Sequence, residues 1–437
     1  MRNLMLAATA IVGLTSLTAG AFAQTAAPAS PGTPVLSGLK AADGSYQAPG
    51  TFTVRLSARV VTEAGYGSDS GVVGKGTNGQ KNGSKDGGFY LGTAARIYPG
   101  ADGTLANGLQ YGGGIEIRVA GGGTGGSGTN TLYVRRASVY LGSPTAGRVI
   151  VGQIDGALSQ FINVGPIEGF DWTGTFNGST SFVNSNTAVN DPFWENGGAY
   201  VNNKIVYISP KFAGFDVSAS FEPTRTTNDT NCGQASATGC PTQTSVPNNV
   251  SIRRNTYEIA ARHAGSFGPL ATSAEVGYVG SGRVNNSAAT ATTVGYRNLS
   301  VYDAGLNLTA FGFTAGAHYT GGDMNSDYSL LQAGQKKLNT FLVGGKYTWS
   351  DFTVGVNYFN SLSAGSYNAA TNQKMLHEIS YGTGGSWNWA PGSTAYISAV
   401  YMTRHQAGVD LLNGGSVGAF NNSTRARFVV VGNVFRW

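Results

Sequence analysis

An all-β transmembrane barrel of about sixteen antiparallel strands is the fold this sequence predicts, and three observations predict it. Segments of about 9–13 residues that alternate apolar and polar recur from residue 51 onward, with turn signals between them. Charged residues make up only 11% of the 437-residue chain, while its mean hydropathy is a neutral −0.10. Soluble domains carry roughly 25% charge, and an alternating wall with lipid on one side averages to neutrality. The chain also ends on an apolar strand, RFVVVGNVFRW, whose last residue is Trp437. Ordinary chain ends fray, whereas a barrel's last strand has to close the wall and leave no edge in lipid.

The N-terminus reads as an export signal. Arg2 supplies a positive start, Leu4 to Leu17 an apolar stretch, and Ala21-Phe22-Ala23 a small-x-small cleavage site, so residues 1–23 are expected to be removed after Ala23. The stretch is too short to span a bilayer, and no later one approaches 18 uninterrupted apolar residues, which excludes helical spans. Residues 24–50, rich in Ala, Pro, Ser and Gly, read as a flexible periplasmic extension ahead of a barrel at 51–437.

The first strand is TFTVRLSARVV. Phe52, Val54, Leu56, Ala58 and Val60 share one face, and Arg55, Ser57 and Arg59 the other. Further strands begin near 88, 109, 131, 148, 203, 214, 252, 269, 297, 312, 338, 351, 375, 393 and 424. Several alternate cleanly: Phe215, Val217, Ala219 and Phe221 oppose Asp216, Ser218, Ser220 and Glu222. Those near 131, 148 and 375 do not declare their phase, and Asn433 interrupts the outward face of the last.

The connections alternate in length. SPTAG (143–147), SPKFAG (209–214), GSFGP (265–269), AFG (310–312), WSD (349–351) and APG (390–392) follow even-numbered strands, with 99–108 a long exception. The odd-numbered strands lead into long connections, as expected of outer loops opposite short periplasmic turns. Trp349, Trp387, Trp389 and Trp437 fall at the inferred periplasmic ends, where amphipathic rings favour the membrane interface.

No catalytic set emerges. Gly121–Gly126 fits a dinucleotide fingerprint and Gly414–Gly418 a nucleophile elbow, but neither has the strand–turn–helix context such motifs require. Asp323, Asn325 and Asp327 open like a calcium loop but lack its later glycine and acid. The four histidines are scattered, and no metal or cofactor is expected. Cys232 and Cys240 lie close together in a Thr/Asn/Ser/Pro-rich stretch, and a disulfide pinning one outer loop is expected in an oxidising envelope. A pI near 9.1 raises nucleic acid as a partner, but no Lys/Arg run supports it and an exported chain seldom meets any.

What remains is a polar lumen. Arg55, Arg59, Arg96 and Arg118 are placed on its inward faces, Arg135 or Arg136 adds a charge from the fourth strand, and Glu116 offers partial pairing. An Arg facing lipid at mid-bilayer would cost roughly 2–4 kcal/mol, which favours inward placement. The segment 156–202 is rich in Phe and Trp and carries Glu168, Asp171, Asp191 and Glu195, so it is expected to fold inward and pack within the lumen.

Three stretches resemble the general diffusion porins of Gram-negative outer membranes. They are VRRASVYLGSPTAGRVIVGQIDG (134–156), GPIEGFD (165–171) and NNKIVYISPKFAGFDVSASF (202–221). The resemblance implies a sixteen-stranded homotrimer in outer-membrane lipid and lipopolysaccharide, passing small hydrophilic solutes. By position it implies that Arg135 and Arg55 or Arg59 are basic residues of the constriction and Glu168 an acidic residue of the folded-in loop. Val164, Tyr90, Tyr200 and Gln153 stand where further charges are usual, which implies a less charged eyelet. The expected function is a water-filled channel with a mild anion preference. The alternatives are a channel selective for sugars or another nutrient, with Tyr90, Tyr98, Tyr133 and Trp172 as an aromatic track, and an outer-membrane enzyme or adhesin.

Overall fold

Alternation along a strand settles which side chains meet lipid, and hydrogen bonding between neighbours closes the wall. The computed structural model describes residues 50–69, 74–75, 81–82, 87–120, 131–161, 165, 170, 183, 188–189, 202–226, 251–282, 285–286, 296–325, 331–365, 375–407, 411 and 422–437. Sixteen long strands run in chain order. They are β1 (Phe52–Asp69), β2 (Gly87–Thr104), β3 (Gln110–Ala120), β4 (Thr131–Ser143), β5 (Gly147–Ile154), β6 (Asn202–Ile208), β7 (Phe215–Thr226) and β8 (Ser251–Phe267). The series continues with β9 (Leu270–Gly280), β10 (Ser300–Ala310), β11 (Phe313–Gly322), β12 (Leu338–Trp349), β13 (Phe352–Ser363), β14 (Leu376–Ala390), β15 (Ser393–His405) and β16 (Ser423–Arg436). Each pairs antiparallel with the next, and β16 returns to β1 in the register Arg436–Arg59 through Ala426–Asp69, so the wall has no free edge. A single turn of helix, α1 (Ala157–Phe161), follows β5.

The strand starts fall within three residues of those expected. The outward sets also hold: Phe52, Val54 and Leu56 of β1 and Phe215, Val217 and Phe221 of β7 are exposed on the outer face. The expected long connection at 99–108 is corrected, because β2 continues to Thr104 and turns through 105–109. Its end carries Pro99-Gly100, which reads locally as a turn but is held in the ladder opposite Leu56 and Arg55. Every turn on that side is therefore short. Two of them place both central residues at positive φ, Ala213-Gly214 and Phe311-Gly312, the geometry that matches the right-handed twist of a two-residue hairpin.

Rings collect along the lower rim. Phe313, Tyr347, Trp349, Phe352 and Trp387 form an unbroken row across β11 to β14, with successive centroids 4.3, 5.5, 5.6 and 5.5 Å apart. Asn433 does not break the outer face: it accepts a hydrogen bond from Trp389 Nε1 at 2.9 Å, so its amide is satisfied at the interface. A second row, Tyr257–Tyr278–Tyr302, lies toward the opposite ends of β8 to β10. Two aromatic belts flanking an apolar band are what a membrane-spanning barrel requires.

The inner face is not uniformly polar, which corrects the simplest form of the expectation. On β15, β16 and β1 it carries Val400, Met402, Phe428, Val430, Val434 and Val61, all buried. They belong to one apolar cluster with Leu158, Phe161, Ala188 and Val189 from the segment after β5. Burial by the chain's own residues removes the reason for polarity there.

Candidate functional site

A row of arginines crosses the seam of the barrel. Arg436 on β16 stands opposite Arg59 on β1, Arg59 opposite Arg96 on β2, and Arg96 opposite Arg118 on β3. Like charges placed directly across a strand pair are unfavourable. Next to the row, β3 and β4 slip by one residue between Glu116 and Ile117, which pair with Arg136 and Val134. Arg135 is the extra residue of that bulge, so two consecutive arginines are both carried inward, and each is buried to about 2% exposure. The choice between Arg135 and Arg136 is thus resolved as both. The same bulge explains why the phase of the segment near 131 could not be read.

Glu116 gathers this charge. It accepts hydrogen bonds from Arg118 Nε at 2.5 Å, Arg135 Nη1 at 3.2 Å, Arg96 Nη1 at 3.5 Å and Arg136 Nη1. The other end of Arg136 holds Asp155, which stands where β5 gives way to α1. The cluster therefore ties the wall to the root of the segment 156–202.

Arg55 stands apart from this row. It lies four register positions nearer the short-turn end than Arg59 and pairs with Asp102, which also accepts a hydrogen bond from Tyr140 Oη at 2.7 Å. Of the expected basic set, the wall brings together Arg59, Arg96, Arg118 and Arg135. Arg136 and Arg436 complete the group. Arg436 was legible in principle, since Phe435 and Trp437 on either side of it face outward. Of the aromatic track, Tyr90 packs against the buried cluster and Tyr133 stands opposite Arg118. Glu168, Asp171, Trp172, Cys232, Cys240 and the glycine motifs at 121–126 and 414–418 lie outside the described residues.

The segment after β5 is held to the inner wall at several points. The backbone amides of Ala157 and Leu158 donate to Ser220 Oγ at 3.0 Å and to Glu258 Oε2 at 2.9 Å. Arg262, paired with Asp216, lies 4.4 Å above the Phe161 ring. Farther round, Gly165 approaches Ala317 and His318 of β11, and Phe170 reaches β13 and β14.

His318 is buried with Glu275 and Asp303, three groups near enough to raise a metal site. The ring, however, lies between the two carboxylates, Nε2 at 2.9 Å from Asp303 and Nδ1 at 3.5 Å from Glu275. One ligand atom from each of the three residues lies within 4.8 Å of the others, so the group has the spacing of a metal site as well as of a polar bridge across β9 to β11. Of the residues that open like a calcium loop, Asp323 is held by Arg297 at 2.8 Å and Lys337 at 2.9 Å, the Asn325 side chain bonds the backbone of Gly365, and Asp327 lies outside the described residues.

Asp323 gives a pH expectation. Partial burial on its own would raise this carboxyl, but the hydrogen bonds from Lys337 and Arg297 outweigh it and hold the group below its ordinary value. Pinning of this outer connection is therefore complete above the ordinary Asp range near pH 3.9 and fades as pH falls through and below it. Proteolytic nicking within 296–337 should rise on acidification below about pH 4. Asp323→Asn should nick more readily at neutral pH and lose the acid-dependent step, and an unchanged step would count against the pair.

A model of the Gram-negative porin family matches residues 7–406. No curated protein matches significantly in sequence. Among solved structures, the anion-selective porin from Comamonas acidovorans matches with TM-score 0.50 at 17% identity, covering 89% of this chain and 100% of its own. The trimer form of OmpT from Vibrio cholerae matches with TM-score 0.51 at 13% identity, over 89% and 100%. The outer membrane channel DcaP of Acinetobacter baumannii matches with TM-score 0.51 at 12% identity, over 90% and 99%.

Proposed function

We propose, from the premise that this chain belongs to the Gram-negative porin family and is an outer-membrane diffusion channel, that it passes small hydrophilic solutes with a preference for anions. The observation that carries the preference is the row Arg436–Arg59–Arg96–Arg118. With Arg135 and Arg136 it sets, among the described residues, six guanidiniums about the carboxylates of Glu116 and Asp155. A cationic wall in a narrow lumen raises the local concentration of anions and lowers that of cations. Repulsion along the row is a cost that a purely structural wall has no need to bear. The anion selectivity of the Comamonas porin is a property of that protein, and it agrees with this reading.

The segment 156–202 forms the constriction, with Glu168 and Asp171 facing the arginine row. Its anchoring through Asp155, Ala157, Leu158 and Phe161 supports that reading. The channel performs no catalysis. The mature protein starts at Gln24, assembles as a homotrimer in lipid and lipopolysaccharide, and closes one outer loop through Cys232–Cys240. One of the solved forms of the Vibrio protein is a trimer.

Reversal potentials in planar bilayers test the preference. Replacing Arg59 and Arg436 with glutamine leaves Glu116 and its partners in place and should move selectivity toward cations, most visibly at low salt where the Debye length is longest. Arg55→Gln should shift it less, because Asp102 already offsets that charge. Unchanged selectivity in correctly folded R59Q/R436Q protein would place the row outside the permeation path.

A further inference from the structure

The wall receives the segment after β5 at positions that lack side chains. A Cβ built on Gly277 of β9 would stand 2.5 Å from Leu158 Cδ1. On β13 and β14, one built on Gly355 would stand 2.6 Å from Phe170 Cζ, and one on Gly384 would stand 2.8 Å from Phe170 Cβ and 3.1 Å from its Cδ2. Gly355 and Gly384 are register partners, so together they make one recess two residues wide. Both lie on the inward phase, between outward Val354 and Val356 on one strand and Thr383 and Gly385 on the other. The Phe170 ring lies against both wall positions where neither carries a Cβ, and the neighbouring strands crowd the same two positions, with Ile397 O 2.3 Å from a Cβ on Gly384 and Gly345 O 2.7 Å from one on Gly355.

We propose that Phe170 is a peg, and the Gly355–Gly384 recess its seat, that together fix where the charged part of the constriction stands. The proposal rests on the reading of 156–202 as the constriction and adds the residue that positions it. The segment is tied at its root by Asp155, Ala157 and Leu158, and Gly165 touches β11. Beyond that point Phe170 carries it two to three strands farther round the wall. Glu168 and Asp171 flank Phe170 in sequence. Seating the ring therefore holds the short stretch of backbone that bears both carboxylates. Without the peg those charges sample a wider region, and their field on the permeation path averages down.

The test couples the peg to the charges it positions. Reversal potentials are measured for the wild-type channel and for E168Q/D171N, each with Phe170 intact and as Phe170→Ala. Neutralising the acids should shift selectivity toward anions in the wild-type background. In the F170A background the same change should shift it by about half or less, because interacting sites are non-additive. F170A alone should raise single-channel conductance and open-channel noise, and Phe170→Leu should restore most of the coupling. If F170A does not assemble, Phe170→Val is compared with F170L, and equal coupling in those two overturns the peg. An equal shift in the Phe170 and F170A backgrounds also overturns it while leaving the constriction in place. No shift in either background overturns the constriction reading itself.

Discussion

Replacing Glu116 with alanine is expected to cost about 3–5 kcal/mol, the usual penalty for stripping one partner from a buried charge cluster. Arg96, Arg118, Arg135 and Arg136 all donate to this one carboxylate, which is about 1% exposed. Its loss leaves four guanidiniums crowded in a site with little water to solvate them. Arg136 would also lose one of the two carboxylates through which it links the wall to Asp155. Glu116→Gln retains an acceptor but not the charge and should fall between wild type and alanine. Denaturant unfolding in detergent, followed by heat-modifiable mobility, measures both variants. An E116A barrel that unfolds at the wild-type concentration would show that the cluster is solvated rather than carboxylate-bound.

Deleting Trp437 should impair assembly strongly. Its backbone N–H donates to Ala58 at 3.3 Å and its carbonyl accepts from Ala58 at 3.0 Å, one step beyond the Arg436–Arg59 pair. Two such bonds contribute about 1 kcal/mol each in an aqueous setting, and an unmet backbone group facing lipid costs several. The deletion also removes the ring that lies 5.5 Å from Phe435 and forms the last part of the lower aromatic rim. Trp437→Phe preserves both contributions and should assemble nearly normally. Outer-membrane levels of the folded form decide the matter, and a deletion variant present at the wild-type level would refute closure through this residue.

The strands were legible because each sits between two different solvents. An outward Phe215, Val217 or Phe221 and an inward Asp216 or Glu222 answer to lipid and to the lumen, and that contrast is written residue by residue. Legibility fails where the contrast is broken. At Arg135 one extra residue shifts the phase within a strand, and nothing in VRRAS announces which arginine is the insertion. On β16 the inner Phe428, Val430 and Val434 are as apolar as the outer Val429 and Val431, so alternation carries no signal. Their burial depends on contacts distant in sequence. The arginine row is a register property of four strands, and Arg59, Arg96, Arg118 and Arg436 become neighbours only once the pairings are known. The glycine recess was unreadable for the same reason, since Gly355 and Gly384 acquire meaning from each other and from Phe170.

The position of the arginine row at the seam links assembly to transport. Three of its members sit on the first three strands of the barrel and meet as those hairpins form, while Arg436 belongs to the last strand. The row becomes complete only at the moment of closure, so a barrel still open at the seam lacks one of its charges. Closing the wall sets Arg436 opposite Arg59, a like-charge cost that dissolved salt lowers by screening. Ionic strength is thus expected to act twice with opposite consequences. It should ease the completion of the wall and, once the wall is complete, weaken the field on which the proposed anion preference rests.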